Sequence, residues 1–461
     1  MRSRRDQVQA HSFVLGRLAC ALVSGEPDTP ENPHRRTVVG AIVSLLVAAL
    51  VAGGFGVYGL IRPGGATSWR APGVLITEKE TGSRYVLLDG QLRPVLNFAS
   101  ALLLFQQRPS IVSVSSRSLV GVPHGPAIGV VGAPDALPAS GAVVGAVWSA
   151  CAQTANDQAG NVSTATTLAV TREAGEPPAP LPRAIVVRVA DGPLFLVWQG
   201  RRFRFADDRM ARVLGYDAPT LTVETRWADL LPPGPDIAPA AIPGHGEPGP
   251  TIDGRVARIG ELFTAPAGSG PARTFILLRD GLSQLSPVAE AIVAGDPRTA
   301  DLYRGGPVEP ARLSPAALGQ VARSASRVVA EGLPEESPAL ADSPAGTAWC
   351  VRQGGGTGEL TVGPAPRLTA SAATFVGGGV TRSTATASAV VVAPGVGGLV
   401  RAADQGQAQS TNLYLVADNG VKFPVADAEA ARRLGQSADQ ATSVPRSLLE
   451  LLPTGPLLRA P

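Results

Sequence analysis

The sequence predicts an α+β protein. One N-terminal transmembrane helix precedes an elongated, strand-rich extracytoplasmic domain, where four small β-hairpin–helix repeats surround a central body in a quasi-two-fold arrangement. Three observations carry this reading: an uncharged apolar run early in the chain, a strand–turn–strand–helix pattern that recurs, and a composition rich in turn formers. Gly 53 and Pro 42 in 461 residues favour a turn-rich body over a helical bundle. Charged residues make up 17%, below the roughly 25% usual for soluble domains.

Residues 1–36 form an N-terminal tail. "RRDQVQAHSFVLGRLACALV" places Val14, Leu18, Ala21 and Leu22 on one side of a short amphipathic helix, with Arg17 opposite. "GEPDTPENP" (25–33) breaks it. Residues 37–61, "TVVGAIVSLLVAALVAGGFGVYGLI", carry no charge. From Val38 to Ile61 a helix extends about 36 Å, enough to cross a ~30 Å hydrocarbon layer with some tilt. Arg35 and Arg36 abut one end, Arg62 and Pro63 the other, and Tyr58 and Trp69 stand where interfacial aromatics belong. A cleaved signal peptide would need a shorter apolar core, a shorter leader and an A-x-A-like site, so the run reads as a retained anchor. Ala48, Ala52 and Gly56 recur every four residues and let helices approach closely in lipid.

Beyond the span, residues 70–461 make the large domain. "LYLVADNGVKFPVADAEAARRLG" (413–435) reads as a hairpin with the tight turn Asp418-Asn419-Gly420, where Asn-Gly suits positive φ angles, then a helix capped by Asp427 and stopped by Gly435. "LFLVWQGRRFRFADDRMARVLG" (194–215) has the same layout, with Gly200, Asp207 and Gly215 matching Gly420, Asp427 and Gly435. "ADLLPPGP" and "LELLPTGP" follow at corresponding places. Weaker copies begin at Arg84 and Thr274. The repeats therefore lie near 74–120, 184–240, 255–325 and 400–461, too unevenly spaced for a solenoid. A unit this small cannot bury enough apolar surface alone. Residues 125–180 and 345–400 supply the central body, with small and β-branched residues alternating in 141–170 and 376–399. "PPGPDIAPAAIPGHGEPGP" (232–250) reads as a linker.

Cys20 precedes the span, while Cys151 and Cys350 follow it, one in each half of the body. In an extracytoplasmic domain the latter two either form a disulfide or stand as separate buried thiols. Closing a loop of roughly two hundred residues would constrain the unfolded chain by about 5 kcal/mol. The tail's arginine excess is modest, so charge and cysteine placement together put the N-terminus in the cytoplasm and the bulk outside.

Catalytic chemistry is hard to find. Lys79 and Lys422 are the only lysines, and neither sits in a Gly-x-x-x-x-Gly-Lys-Ser/Thr loop, which excludes a Walker-A site. His11, His34, His124 and His245 have no metal-ligand spacing, and no G-x-S-x-G elbow occurs. Asp207–Asp208 is explained by capping, and Asn161-Val162-Ser163 matches a glycosylation sequon. A net charge of +3 without a basic stripe argues against nucleic acid. Arg201, Arg202 and Arg204 alternate with Phe203 and Phe205, a candidate binding strand weighed against a solvated strand edge.

In order along the chain, "RRDQVQAHSFVLGRL", "PDTPENPHRRT", "YVLLDGQLRPVLNFASALLL", "GAPDALP", Cys151 with Cys350, "APGVGGLV" and "SLLELLPTGP" resemble EccB, a single-pass membrane subunit of type VII (ESX) secretion machinery in actinobacteria. The resemblance implies a cytoplasmic tail, one span, four outer repeats around a body, and a disulfide between Cys151 and Cys350. It implies EccC-, EccD- and EccE-like membrane partners, self-association, contact with membrane lipid, and a structural role in exporting small helical proteins. An ATPase activity is also associated with that family, so ATP enters by the resemblance alone; the residues themselves offer no motif for it and call for no cofactor. Other readings are a membrane-tethered binder of cell-wall peptidoglycan and an ATP-hydrolysing subunit.

Overall fold

The computed structural model describes residues 4–25, 33–61, 67–156, 162–172, 183–217, 219, 221–266, 271–342, 348–353, 360–365, 378–403 and 411–461. It divides into two compact units, Met1–Pro94 with Ser110–Gly125, and Val95–Pro109 with Pro126–Pro461. Glu26–Glu31, Arg62, Pro63 and Asn161 of the sequon lie outside the described residues, as do the side chains of Arg35 and Arg36.

The first unit begins with helices Arg4–Ser24 and Pro33–Ile61. The second contains Thr37–Gly59, long and apolar enough to cross a membrane, and its side chains are exposed throughout. A four-stranded sheet follows in the order Gln91–Pro94, Arg84–Leu88, Val74–Glu78, Ser110–Val114. Its first three strands form an antiparallel meander, and Ser110–Val114 runs parallel to Val74–Glu78. Trp69, Val74, Ile76, Leu92, Val114 and Leu119 make its core.

The second unit holds three more sheets of the same strand order. They are Leu221–Val223, Ile185–Val189, Leu194–Trp198, Arg201–Arg204; Gly281–Gln284, Arg273–Leu278, Leu262–Ala265, Ala311–Arg312; and Lys422–Val425, Leu413–Val416, Gly398–Ala403, Thr442–Pro445. In each, a meander leads to a helix and then to a fourth strand parallel to the first. The helices are Asp208–Val213, Pro287–Ala294 and Ala428–Arg433, and Phe98–Leu104 follows the first unit's meander. All four are capped alike: Asn97, Asp207, Ser286 and Asp427 accept from the amides of Ser100, Met210, Ala289 and Ala430 at 2.8–3.2 Å. These bonds satisfy amides that the first helical turn leaves unpaired. Phe98–Leu104 packs on Ala428–Arg433, and Asp208–Val213 on Pro287–Ala294.

The turn falls at Asp418–Gly420, as the sequence predicts, but Asn419 does not take the positive φ expected of an Asn-Gly pair. Only Gly420 has positive φ (79°), Ala417 N–H donates to Val421 O at 3.1 Å, and Asn419 Oδ1 accepts from Val421 N–H. Three residues, Asp418–Gly420, therefore span the hairpin, as in a type I turn followed by a left-handed glycine. At 199–200, by contrast, Gln199 (48°) and Gly200 (71°) both take positive φ, the two-residue form.

The central sheet is five-stranded: Leu360–Ala365, Ala348–Gln353, Val147–Asn156, Val162–Thr171, Ala389–Val392. Its strands are antiparallel except the last pair. The apolar stretch through Leu399 is shared, since Gly398–Ala403 belongs to the last four-stranded sheet. One core joins the central sheet to its neighbours through Trp148, Trp227 and Trp349. The Trp227 indole donates to Ala150 O at 3.1 Å, and Glu224 accepts from Thr166 N–H at 2.8 Å.

The 232–250 segment is not a free linker. Gly234 N–H donates to Arg202 O and Ile237 N–H to Arg204 O, both at 2.7 Å, and Pro248–Ile252 pairs with Arg255–Arg258. Proline lacks an amide but keeps its carbonyl, so Pro232 O accepts from Arg202 N–H at 3.0 Å. Gly234 and Gly455 face the rings of Phe203 and Phe423 so closely that a Cβ at either would overlap the ring. Glycine is the residue that permits that approach.

Candidate functional site

Cys151 and Cys350 are cross-strand partners at the centre of the five-stranded sheet, and their sulfurs are bonded. Both are buried, so the bond joins the two halves of the body where solvent does not reach. Cys20 takes no part in a disulfide.

The arginine strand Arg201–Arg204 does not present a bare edge, because residues 232–237 cover it. Arg201 Nη2 donates to Pro233 O at 3.3 Å. Arg202 pairs with Asp229 at 2.5 Å while its guanidinium lies 5.4 Å from the Phe195 ring centre. Arg202 and Arg204 do reach a groove of about 410 Å³, which Asp191, Asp229 and Asp236 also line. Three carboxylates against two guanidiniums give this groove no preference for a polyphosphate.

Lys422 occupies the place of Arg202 in the matching hairpin, and Glu450 the place of Asp229. Both third-strand residues bridge to the returning segment, Arg202 to Pro233 and Lys422 to Thr454. Lys422 is 8% exposed, and its Nζ donates to Leu449 O at 2.5 Å. Burial lowers its pKa to about 8, with Glu450 pulling the other way. In the sequence, Lys422 stands out only as a lysine outside any phosphate-binding loop. Superposing the two hairpins by their glycines would have revealed the Arg–Asp and Lys–Glu correspondence.

The remaining candidates are structural in these surroundings. Asp207 caps its helix, and Asp208 pairs with Arg188 at 2.7 Å, which lowers its pKa. His124 lies edge-on to Tyr85 at 5.7 Å. The His245 ring fills the space above Gly260, and burial lowers its pKa. Among the described residues no three His, Cys, Asp or Glu side chains converge as a metal site. Ala48, Ala52 and Gly56 lie exposed on the apolar helix.

The family described as "Type VII secretion system ESX-1, transport TM domain B" matches residues 2–461. An "ESX-2 secretion system ATPase EccB2" of Mycobacterium tuberculosis is 27% identical across 99% of this chain and 93% of its own length. An "ESX-3 secretion system ATPase EccB3" of Mycolicibacterium smegmatis is 27% identical across 98% and 89%. A chain in the structure of an intact ESX-5 inner membrane complex superposes with TM-score 0.63, at 24% identity, covering all of this chain and 94% of that one. A chain of the EccB3 dimer from the ESX-3 core complex gives TM-score 0.60 at 22% identity, over 84% and 98%. With the fold, the apolar helix and the match along nearly its whole length, the chain belongs to the EccB family of type VII secretion systems.

Proposed function

We propose that this chain is a structural core component of a type VII (ESX) secretion complex. Its apolar helix anchors it with the tail in the cytoplasm, and the domain from residue 70 onward self-associates outside to form or support an export path. The family match over residues 2–461 is the observation that carries the reading. The inner-membrane-complex relatives and the apolar helix fit a membrane-anchored protein. The Cys151–Cys350 bond favours an oxidising compartment for the large domain. The four sheets of common strand order read as four copies of one unit, and Phe98–Leu104 with Ala428–Arg433 and Asp208–Val213 with Pro287–Ala294 read as matching helix pairs. The two helix contacts and the matched Gly234–Phe203 and Gly455–Phe423 approaches support that quasi-two-fold reading. EccC-, EccD- and EccE-like proteins are the proposed membrane partners.

The relatives' names include "ATPase", but the chain holds no P-loop, and the role proposed here requires no hydrolysis. The test has two parts. Deleting the chain should stop export of the system's small helical proteins, and restoring it should recover export. Undiminished export contradicts the proposal. In a Cys20→Ser background, a membrane-impermeant maleimide should label Ser116→Cys in intact cells and leave Ser12→Cys unlabelled; the reverse pattern inverts the topology.

A further inference from the structure

The fourth strand of each four-stranded sheet is a potential edge, and three of the four are protected. Leu221 and Val223 are buried in the core shared with the central sheet, as is Val444 of Thr442–Pro445. Ala311–Arg312 is two residues long and charged. Ser110–Val114 is the least protected: over five residues it buries only Val114 and carries no charge and no proline, with Ile111 59% exposed. Natural proteins avoid such an edge because its unpaired backbone groups recruit another strand.

The pairing register states which groups are unpaired. Ser110 N–H donates to Gly73 O at 3.1 Å, and Val114 O accepts from Lys79 N–H at 2.9 Å. Alternate residues face alternate sides of a strand, so Ser110, Val112 and Val114 face the sheet, and Ile111 and Ser113 turn their N–H and C=O outward. Among the described residues these outward groups meet no partner.

We propose that Ser110–Val114 pairs antiparallel with the same strand of a second copy of this chain, about a two-fold axis through Val112. The proposal rests on the self-association proposed above and names its surface. In that register Ile111 exchanges both backbone bonds with the partner's Ser113, and Ser113 does so with the partner's Ile111. All outward groups are thereby satisfied by symmetry. Val112 meets the partner's Val112 at the closely spaced, non-bonded position, where its half-buried side chain extends the core of Trp69, Val74 and Val114. No charge opposes like charge, because the strand carries none.

Cross-linking of the full chain in its own membrane tests this. In a Cys20→Ser background, Val112→Cys should give a covalent dimer on mild oxidation. Ser110→Cys should not, since the two copies of residue 110 would stand about 13 Å apart along the strands. Ser113→Pro removes only an outward donor and should cut Val112→Cys cross-linking at least tenfold. Ile111→Lys, which leaves the backbone intact, should do the same. If native size shows several copies but Val112→Cys cross-links no better than Ser110→Cys, the edge proposal is overturned and self-association stands. A chain that is monomeric by native size overturns both. Cross-linking of Val112→Cys to a different polypeptide overturns the second copy as occupant.

Discussion

Raising the pH should stabilise this protein, because of Lys422. In the unfolded chain its amine has the ordinary lysine pKa of 10.5; in the fold, burial lowers that to about 8. Between those values the unfolded state binds more protons than the folded one, so stability rises with pH. At 1.36 kcal/mol per unit the full gain is about 3 kcal/mol, of which about 2 kcal/mol falls between pH 8 and 10. The charged neighbour is Glu450, and its attraction is already part of the lowered value. Above pH 10 the sign reverses. Burial holds the Tyr216 pKa up at about 12 and raises that of Tyr303, so the folded state keeps protons that the unfolded state loses. Urea unfolding followed by tryptophan fluorescence, with the disulfide intact, should therefore show maximum stability near pH 10. Lys422→Met removes the titrating group, and its stability should not rise from pH 8 to 10. An unchanged rise in Lys422→Met would refute the assignment.

Other substitutions probe the fold. Gly455→Ala forces a methyl into the Phe423 ring and should cost about 1–3 kcal/mol in urea unfolding; Gly435→Ala, with open space around it, meets only its left-handed backbone and should cost less. Asp427→Ala removes the acceptor for Ala430 N–H and should cost about 1 kcal/mol, measured the same way. Trp227→Phe removes the buried indole's hydrogen bond to the Ala150 carbonyl and should cost about 1 kcal/mol, whereas an exposed aromatic would cost almost nothing. Replacing Cys151 and Cys350 together by alanine frees the unfolded chain, and the midpoint of thermal unfolding should fall by an amount equivalent to 2–5 kcal/mol.

Local signals carried far in this chain. Asp207 and Asp427 announced their helices because a capping carboxylate needs only the next few residues to act. Asp418-Asn419-Gly420 announced the hairpin turn but not that Gly420 alone would take positive φ, because the number of positive φ angles depends on how the flanking strands register. Two of the fourth strands give little local signal for the same reason. Thr442–Pro445 and Leu221–Val223 are short, and what makes them strands is a parallel partner that the chain reaches only after a helix. The 232–250 segment looked like a linker by composition, yet its carbonyls and Gly234 amide complete the edge beside Arg201–Arg204. That cover changes the arginine strand from an open face into one wall of a groove. The burial of Lys422 was equally hidden, since a lone lysine on a short strand gives no sign of which face will close.

The most direct test of a structural role is the native mass of the tagged chain extracted from its own membrane in mild detergent. The expected result is a large assembly holding several copies of this chain together with a membrane-embedded motor protein. A chain recovered alone, as a monomer, from membranes in which export was active would contradict it.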